Sequence, residues 1–107
     1  MSDPIMAKGS SRAASVPITV KPSGLSCEAE LYLTKDGGAT KAATSSPVSF
    51  VATGAAQSIS FPITMPSVWG DFEVYIDVFA DGMLISAFIA TEHVTIPDVS
   101  IGEPVWD

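Results

Sequence analysis

Histidine, cysteine and paired carboxylates are the side chains of this chain that could do chemistry. The chain has a single histidine, His93, and a single cysteine, Cys27. A hydrolytic triad would need His93 beside an activated serine, and the G-x-S-x-G turn that exposes such a serine does not occur. One histidine and one cysteine cannot form a closed zinc site, and one cysteine cannot form an intrachain disulfide. We therefore expect a solvent-facing histidine at a strand end and an inert thiol in the core.

Carboxylate pairs are the remaining candidates for acid–base chemistry, namely Glu28 with Glu30, and Asp71 with Glu73 and Asp77. A hydrolase pair needs one carboxylate in an apolar pocket that raises its pKa. These carboxylates fall on outward strand positions or in loops, where solvated acids are ordinary. Phosphate-binding glycine loops and the repeated acids of a calcium loop do not occur either. We predict a protein that is not an enzyme and that has no catalytic residues, no bound metal and no cofactor.

The clearest structural signal is a β-hairpin around Asp81-Gly82. This dipeptide between two β-rich runs predicts a two-residue type I′ turn with Ala80 opposite Met83. Stepping outward in that register places alternate side chains on opposite faces. The face expected to point to the core carries Val74, Ile76, Val78, Ile85, Ala87 and Ile89. The other face is expected to point outward, because unpaired carboxylates are costly to bury, and carries Glu73, Tyr75, Asp77, Phe79, Leu84, Ser86, Phe88 and Ala90.

An outward face with large apolar side chains often marks a surface for a partner protein. We therefore predict a protein interface on this hairpin, extended by an outward aromatic residue of an earlier strand and an anchor near the end of the chain. The predicted interface residues are Tyr75, Phe79, Leu84, Phe88, Tyr32 and Trp106. The alternative is that a terminal segment of the same chain folds over this face.

Alternating apolar residues predict the remaining strands at residues 16–21, 25–34, 40–44, 48–52 and 57–65. Residues 25–33 and 59–65 place their odd-numbered apolar side chains inward. Pro62 points outward and assigns its strand to a sheet edge. Ile89 and Val94 differ in parity, which predicts a β-bulge near Thr91–His93.

About seven short strands with a turn signal roughly every ten residues are typical of a β-sandwich. Pro66 followed by Gly70-x-Phe72-x-Val74-x-Ile76-x-Val78 resembles a late strand of immunoglobulin-like or fibronectin type III-like domains. Val94-Thr95-Ile96-Pro97 resembles their last strand. The resemblance implies an all-β chain with a single Ig-like antiparallel sandwich at residues 16–97, a flexible N-terminal arm at 1–15 and a C-terminal tail at 98–107. Such folds host many functions, so the resemblance implies none in particular.

Composition restricts the class of partner. The net charge of −7 with five basic residues disfavours nucleic acid and anionic membranes. No run approaches the ~20 apolar residues of a membrane span, and residues 1–15 lack the apolar run of a signal peptide.

We therefore predict a non-catalytic structural or assembly protein, most simply a virion component such as a capsid decoration protein. It would form homo-oligomers or bind a capsid protein, in a virion or an extracellular assembly. The alternative is an accessory module of a cell-surface or secreted protein that recognises carbohydrate or protein. Tyr32, Tyr75 and Phe88 would then form a platform on which sugars stack.

Overall fold

The computed structural model describes residues 4–106. Residues 1–3 of the predicted arm and Asp107 of the predicted tail lie outside the described part. All regular secondary structure in this part is β-strand. The strands are β1 (Ser11–Thr19), β2 (Ser26–Thr34), β3 (Ala43–Thr44), β4 (Val48–Val51), β5 (Ala56–Thr64), β6 (Gly70–Ala80), β7 (Met83–Ile89) and β8 (Val94–Ile96).

The strands form two antiparallel sheets that enclose one core. Sheet I consists of β1 and β5. Sheet II contains the other six strands, with β2 and β6 at its centre. β3 and β4 pair with the outer edge of β2, while β7 and β8 follow one another along the outer edge of β6. The predicted all-β antiparallel sandwich is therefore confirmed, with eight strands rather than about seven.

Alternate residues of the central strands fill the core between the sheets. The main contributors are Cys27, Ala29, Leu31 and Leu33 of β2, Ile59, Phe61 and Ile63 of β5, and Phe72, Ile76 and Val78 of β6. Phe61 and Phe72 are completely buried. The predicted inward positions of β2 and β5 are confirmed, and Pro62 is exposed as expected.

The hairpin turn has the predicted geometry. Asp81 has φ 50° and Gly82 has φ 75°, and positive values at both central residues define a type I′ turn. Ala80 pairs with Met83 as expected. Local turn chemistry alone therefore fixes the start of the register.

Beyond Leu84 the predicted register is wrong, because β7 contains a bulge. The register shifts between Val78 and Phe79 of β6, and Ile85 is the additional residue on β7. Val78 consequently lies opposite Ser86. One additional residue transfers every following side chain of the strand to the opposite face.

The bulge exchanges the two predicted faces of β7. Phe88 lies opposite Ile76 on the inner face, and Ile89 lies opposite Tyr75 on the outer face. The prediction that Phe88 shares the outer face with Tyr75 is therefore wrong.

The bulge predicted near Thr91–His93 is also misplaced. Tyr75 pairs with Ile89, and Phe72 pairs with Val94. Between these two pairs the chain advances five residues from Ile89 to Val94, but only three separate Phe72 from Tyr75. That difference of two leaves the parity unchanged. The single change of parity lies at the bulge in β7.

The first strand begins five residues earlier than predicted, at Ser11 rather than Val16, and pairs with β5 along its whole length. The segment before it is also hydrogen-bonded. Met6 N donates to Thr95 O, and Thr95 N donates to Pro4 O. Residues 4–6 therefore cover the outer edge of β8.

Residues 97–106 have no regular structure and are exposed; they are called the tail below. Ten extended residues span about 33 Å. The molecule measures 70 × 25 × 25 Å, and its radius of gyration of 17.0 Å exceeds the ~13 Å of a compact chain of this length. Strand β6, with eleven residues, spans about 36 Å. The long dimension therefore matches a sandwich with a projecting tail.

Candidate binding surface

The outer edge of β7 is the most unusual feature of the described surface. β7 pairs with β6 on one side and with no other described strand on its other side. All seven of its residues, Met83–Ile89, are exposed, and none is charged or proline. Natural proteins protect free edges with charges, prolines or a covering segment, because unpaired backbone groups accept another strand. The bulge is the only such device that β7 carries.

The outer apolar face is defined as Tyr75, Phe79, Leu84 and Ile89. Leu84 pairs with Phe79, and Ile89 pairs with Tyr75. Leu84 is 53% exposed and Ile89 is 55% exposed, whereas the two β6 residues are half-buried. Two exposed aliphatic side chains therefore stand above two partly covered aromatic rings.

A polar and aromatic cluster borders this face, formed by residues of β2 and β6 together with Lys41 and Thr44 at β3. Lys41 Nζ lies 4.6 Å from the Tyr32 ring centroid and 2.8 Å from Glu30 Oε1, and Thr44 donates to Glu30. Burial alone would raise the pKa of Glu30, but Lys41 and Thr44 together hold it below its ordinary value. Burial, followed by the charge and hydrogen bond of Asp77, raises the pKa of Tyr32. The carboxylate stays ionised and the phenol stays neutral, so the cluster is a structural network.

The structure divides the predicted interface residues into separate groups. Tyr75, Phe79 and Leu84 share the outer face, and Phe88 does not. Tyr32 is 7% exposed, and its ring packs on Tyr75 with centroids 5.4 Å apart. Trp106 lies in the tail.

The stacking platform of three aromatic rings is therefore not formed. Its members would be Tyr32, Tyr75 and Phe88, and one is buried while another lies on the opposite face. Sequence reasoning also missed Ile89 as an outer-face residue. Its apolar character was visible, but its face depends on the bulge.

A groove opens between β1 and β7 on the inner side of the sandwich, and it is called the β1–β7 groove below. Sheet I has two strands, so the inner face of β7 has no strand of sheet I opposite it. The groove has a volume of about 440 Å³. Apolar side chains line most of it, among them Val16, Leu31, Ile63, Ile76 and Phe88. Phe88 is 58% exposed there, whereas Leu31, Ile63 and Ile76 at the floor of the groove are buried.

The single cysteine and the single histidine lie at opposite ends of β6, because Cys27 pairs with Ala80 whereas His93 lies beside Asp71. His93 Nδ1 lies 2.7 Å from Asp71 Oδ2. Cys27 is a buried free thiol, as predicted. No group of three or more histidine, cysteine or acidic residues that could hold a metal ion occurs among residues 4–106.

The described surface thus offers an apolar edge, an apolar face and an open groove. No helix that could cross a membrane occurs among the described residues. The sequence matches no protein-family model, and none of the curated proteins is significantly similar to it.

Proposed function

We propose that this protein is a non-catalytic structural or assembly protein that associates with copies of itself or with a capsid protein. The observation that carries the proposal is the free edge of β7, with seven exposed and uncharged residues. Its unpaired backbone groups are a template for another chain. A partner on this edge would satisfy those groups and cover the outer apolar face.

The balance of forces at this surface predicts how association depends on salt. Leu84 and Ile89 are about half exposed, so burying the remainder of either side chain contributes roughly 1 kcal/mol, about half of the value for a fully exposed one. The net charge of −7 opposes contact between copies, and salt screens that repulsion. Self-association should therefore strengthen as the salt concentration rises.

The finer part of the proposal is a virion component, such as a capsid decoration protein, located in a virion or an extracellular assembly. A small sandwich, a projecting tail and an uncovered edge support it. The Ig-like classification stays a prediction. Co-sedimentation with purified virus particles from the source, and a coding sequence beside capsid genes, would support a virion role. A particle fraction free of this protein would contradict it.

A pair of double variants tests the apolar face. Leu84→Ser with Ile89→Ser should leave the melting temperature nearly unchanged, since both side chains are exposed, and should weaken association in sedimentation velocity. The control is Ile5→Ser with Val68→Ser, whose side chains are 71% and 55% exposed. Ile5 lies beside Thr95 of β8 and Val68 lies in the loop before β6, at the end of the sandwich opposite the hairpin turn. The control should associate like the unmodified protein. Equal association of all three proteins would contradict a role for this face.

A further inference from the structure

We propose that the tail of one copy of this chain occupies the β1–β7 groove of another copy, as a third strand of sheet I. This inference rests on the proposed assembly function and names one of its contacts. It concerns the inner side of β7, whereas the outer apolar face lies on the other side of the same strand.

The outer edge of β1 provides the backbone groups that an added strand needs. Met65 N donates to Ser10 O over 2.8 Å, and the β1–β5 register is continuous from there. Even-numbered residues of β1 therefore bond to β5, and odd-numbered ones direct their N–H and C=O groups to the free edge. Pro17, which lacks an N–H, is on the odd-numbered side, where an edge tolerates proline. Ser11, Ala13 and Ser15 therefore direct their donors and acceptors to the free edge.

The tail has the pattern of a strand that buries one face. Val99 is 72% exposed and Ile101 is 89% exposed. They alternate with Ser100 and Gly102, so an extended tail presents both apolar side chains on one side. Strand addition to an exposed edge uses main-chain hydrogen bonds for affinity and pockets for alternate side chains for specificity. The tail and the groove each supply one half of such a contact.

The start of the tail is held by the N-terminal segment at the end of the sandwich opposite the Asp81-Gly82 turn. Residues 4–6 occupy the outer edge of β8, the strand that precedes the tail. Lys8 forms an ion pair with Asp98, which holds the start of the tail against the N-terminal segment. Ile96 pairs with Gly70, at the end of the sandwich opposite the Asp81-Gly82 turn. The tail thus starts at the end from which β1 also starts, so in its own groove it would run parallel to β1, and an antiparallel pairing with β1 requires another copy.

One antiparallel register between tail and β1 matches apolar with apolar and acid with base. In this register the inward side chains of the tail lie opposite inward side chains of β1, and the β1 residues involved all line the groove. The pairs are Val99 with Val16, Ile101 with Ala14, and Glu103 with Arg12. The small side chain of Ala14 leaves room for the large one of Ile101.

The antiparallel direction also determines at which end of the neighbouring copy's groove the tail enters. β1 begins near Met65 and Pro66, close to where β6 starts, and runs toward the Asp81-Gly82 turn. An antiparallel tail therefore enters the groove at the turn end of the next copy. Each copy contributes one tail and one groove, so the contact is head-to-tail. It generates a ring if the rotation between copies closes and an open series if it does not.

The first test compares two substitutions on neighbouring residues of the tail in the full chain. Ile101→Asp should weaken association by at least about 30-fold, as expected for the loss of a buried anchor. Ser100→Asp adds the same charge on the opposite face and should change it by less than about 3-fold, the scale of an exposed charge. Equal effects of the two variants in sedimentation velocity would overturn the inference.

The second test exchanges the charges of one predicted pair. Arg12→Glu and Glu103→Arg should each weaken association by about 3- to 10-fold, because each replaces an attraction at the rim of the interface by a repulsion between like charges. The double variant should recover association close to that of the unmodified chain. No recovery in the double variant would overturn the register that we propose.

The two proposals fail in distinguishable ways. Association that survives Ile101→Asp but is lost in Leu84→Ser with Ile89→Ser would refute the tail contact and support the outer face alone. A protein that stays monomeric while Ile101→Asp lowers its melting temperature would show that the tail folds onto its own groove, and would overturn the inference. A protein that is monomeric and indifferent to Ile101→Asp would contradict both self-association and the tail contact.

Discussion

The conformation of Gly82 gives a stability prediction whose magnitude depends on one physical effect. A side chain at this residue would meet no atom within 4 Å, so replacement causes no steric clash. The backbone has φ 75°, where an L-residue costs about 1–2 kcal/mol and a β-branched one up to about 3 kcal/mol. Gly82→Val should therefore destabilise by about 2 kcal/mol.

A loss of that size corresponds to a decrease in melting temperature of about 8–16 °C for a domain of this length. Thermal unfolding followed by circular dichroism measures it. Asn tolerates a positive φ, so Gly82→Asn should lose less than about 1 kcal/mol and Gly82→Ala an intermediate amount. A melting temperature that is unchanged in Gly82→Val, or an order other than Gly, Asn, Ala, Val, would refute the turn geometry and the reasoning.

The remaining predictions concern the core and the response to pH. Leu31 and Ile76 are 4% and 6% exposed, so Leu31→Ala and Ile76→Ala should each lower the free energy of unfolding by about 2–5 kcal/mol in denaturant unfolding. The control Ile101→Ala, in the exposed tail, should leave the free energy of unfolding almost unchanged. If both core variants unfold like the unmodified chain, the inner faces are misassigned. The pKa of Glu30 lies below its ordinary value of 4.5, so its ionised form contributes stability above that pH, and this contribution is lost as the pH falls through the lowered folded-state pKa. Glu30→Gln should therefore lose less stability than the unmodified chain on acidification below about 4.5, and parallel acid unfolding curves would contradict the ion pair with Lys41.

The parts of the fold that were predictable are those set by local chemistry or by clean alternation. Asp81-Gly82 specifies its own turn, because few dipeptides adopt two positive φ values readily. β2 and β5 alternate between apolar and polar residues, so their inward faces follow from period 2. In both cases a single stretch of sequence carries the whole signal.

The register of β7 could not be predicted, because Met83–Ile89 is apolar on both faces. Without alternation, no residue is penalised when the strand slips by one position. The start of β1 was missed for a related reason. Ser11–Ser15 has small and polar side chains with weak β-propensity, and pairing with β5 decides its conformation.

The candidate surface was predictable in part. Tyr75, Phe79 and Leu84 share the outer face because they lie before the bulge or on β6. The β1–β7 groove depends on how many strands each sheet contains, which is a property of long-range pairing. The role proposed for Val99 and Ile101 could not be predicted, because it depends on the apolar groove that the fold creates.

Sedimentation equilibrium of the unmodified chain, over a wide range of protein and salt concentration, tests the central claim most directly. Association through the apolar edge, face and groove predicts an average mass that rises above the monomer mass of 11.1 kDa as the protein concentration increases. It also predicts a further rise at about 1 M salt, where repulsion between acidic copies is screened. A mass of 11.1 kDa at every protein and salt concentration would contradict the claim that this protein assembles with itself.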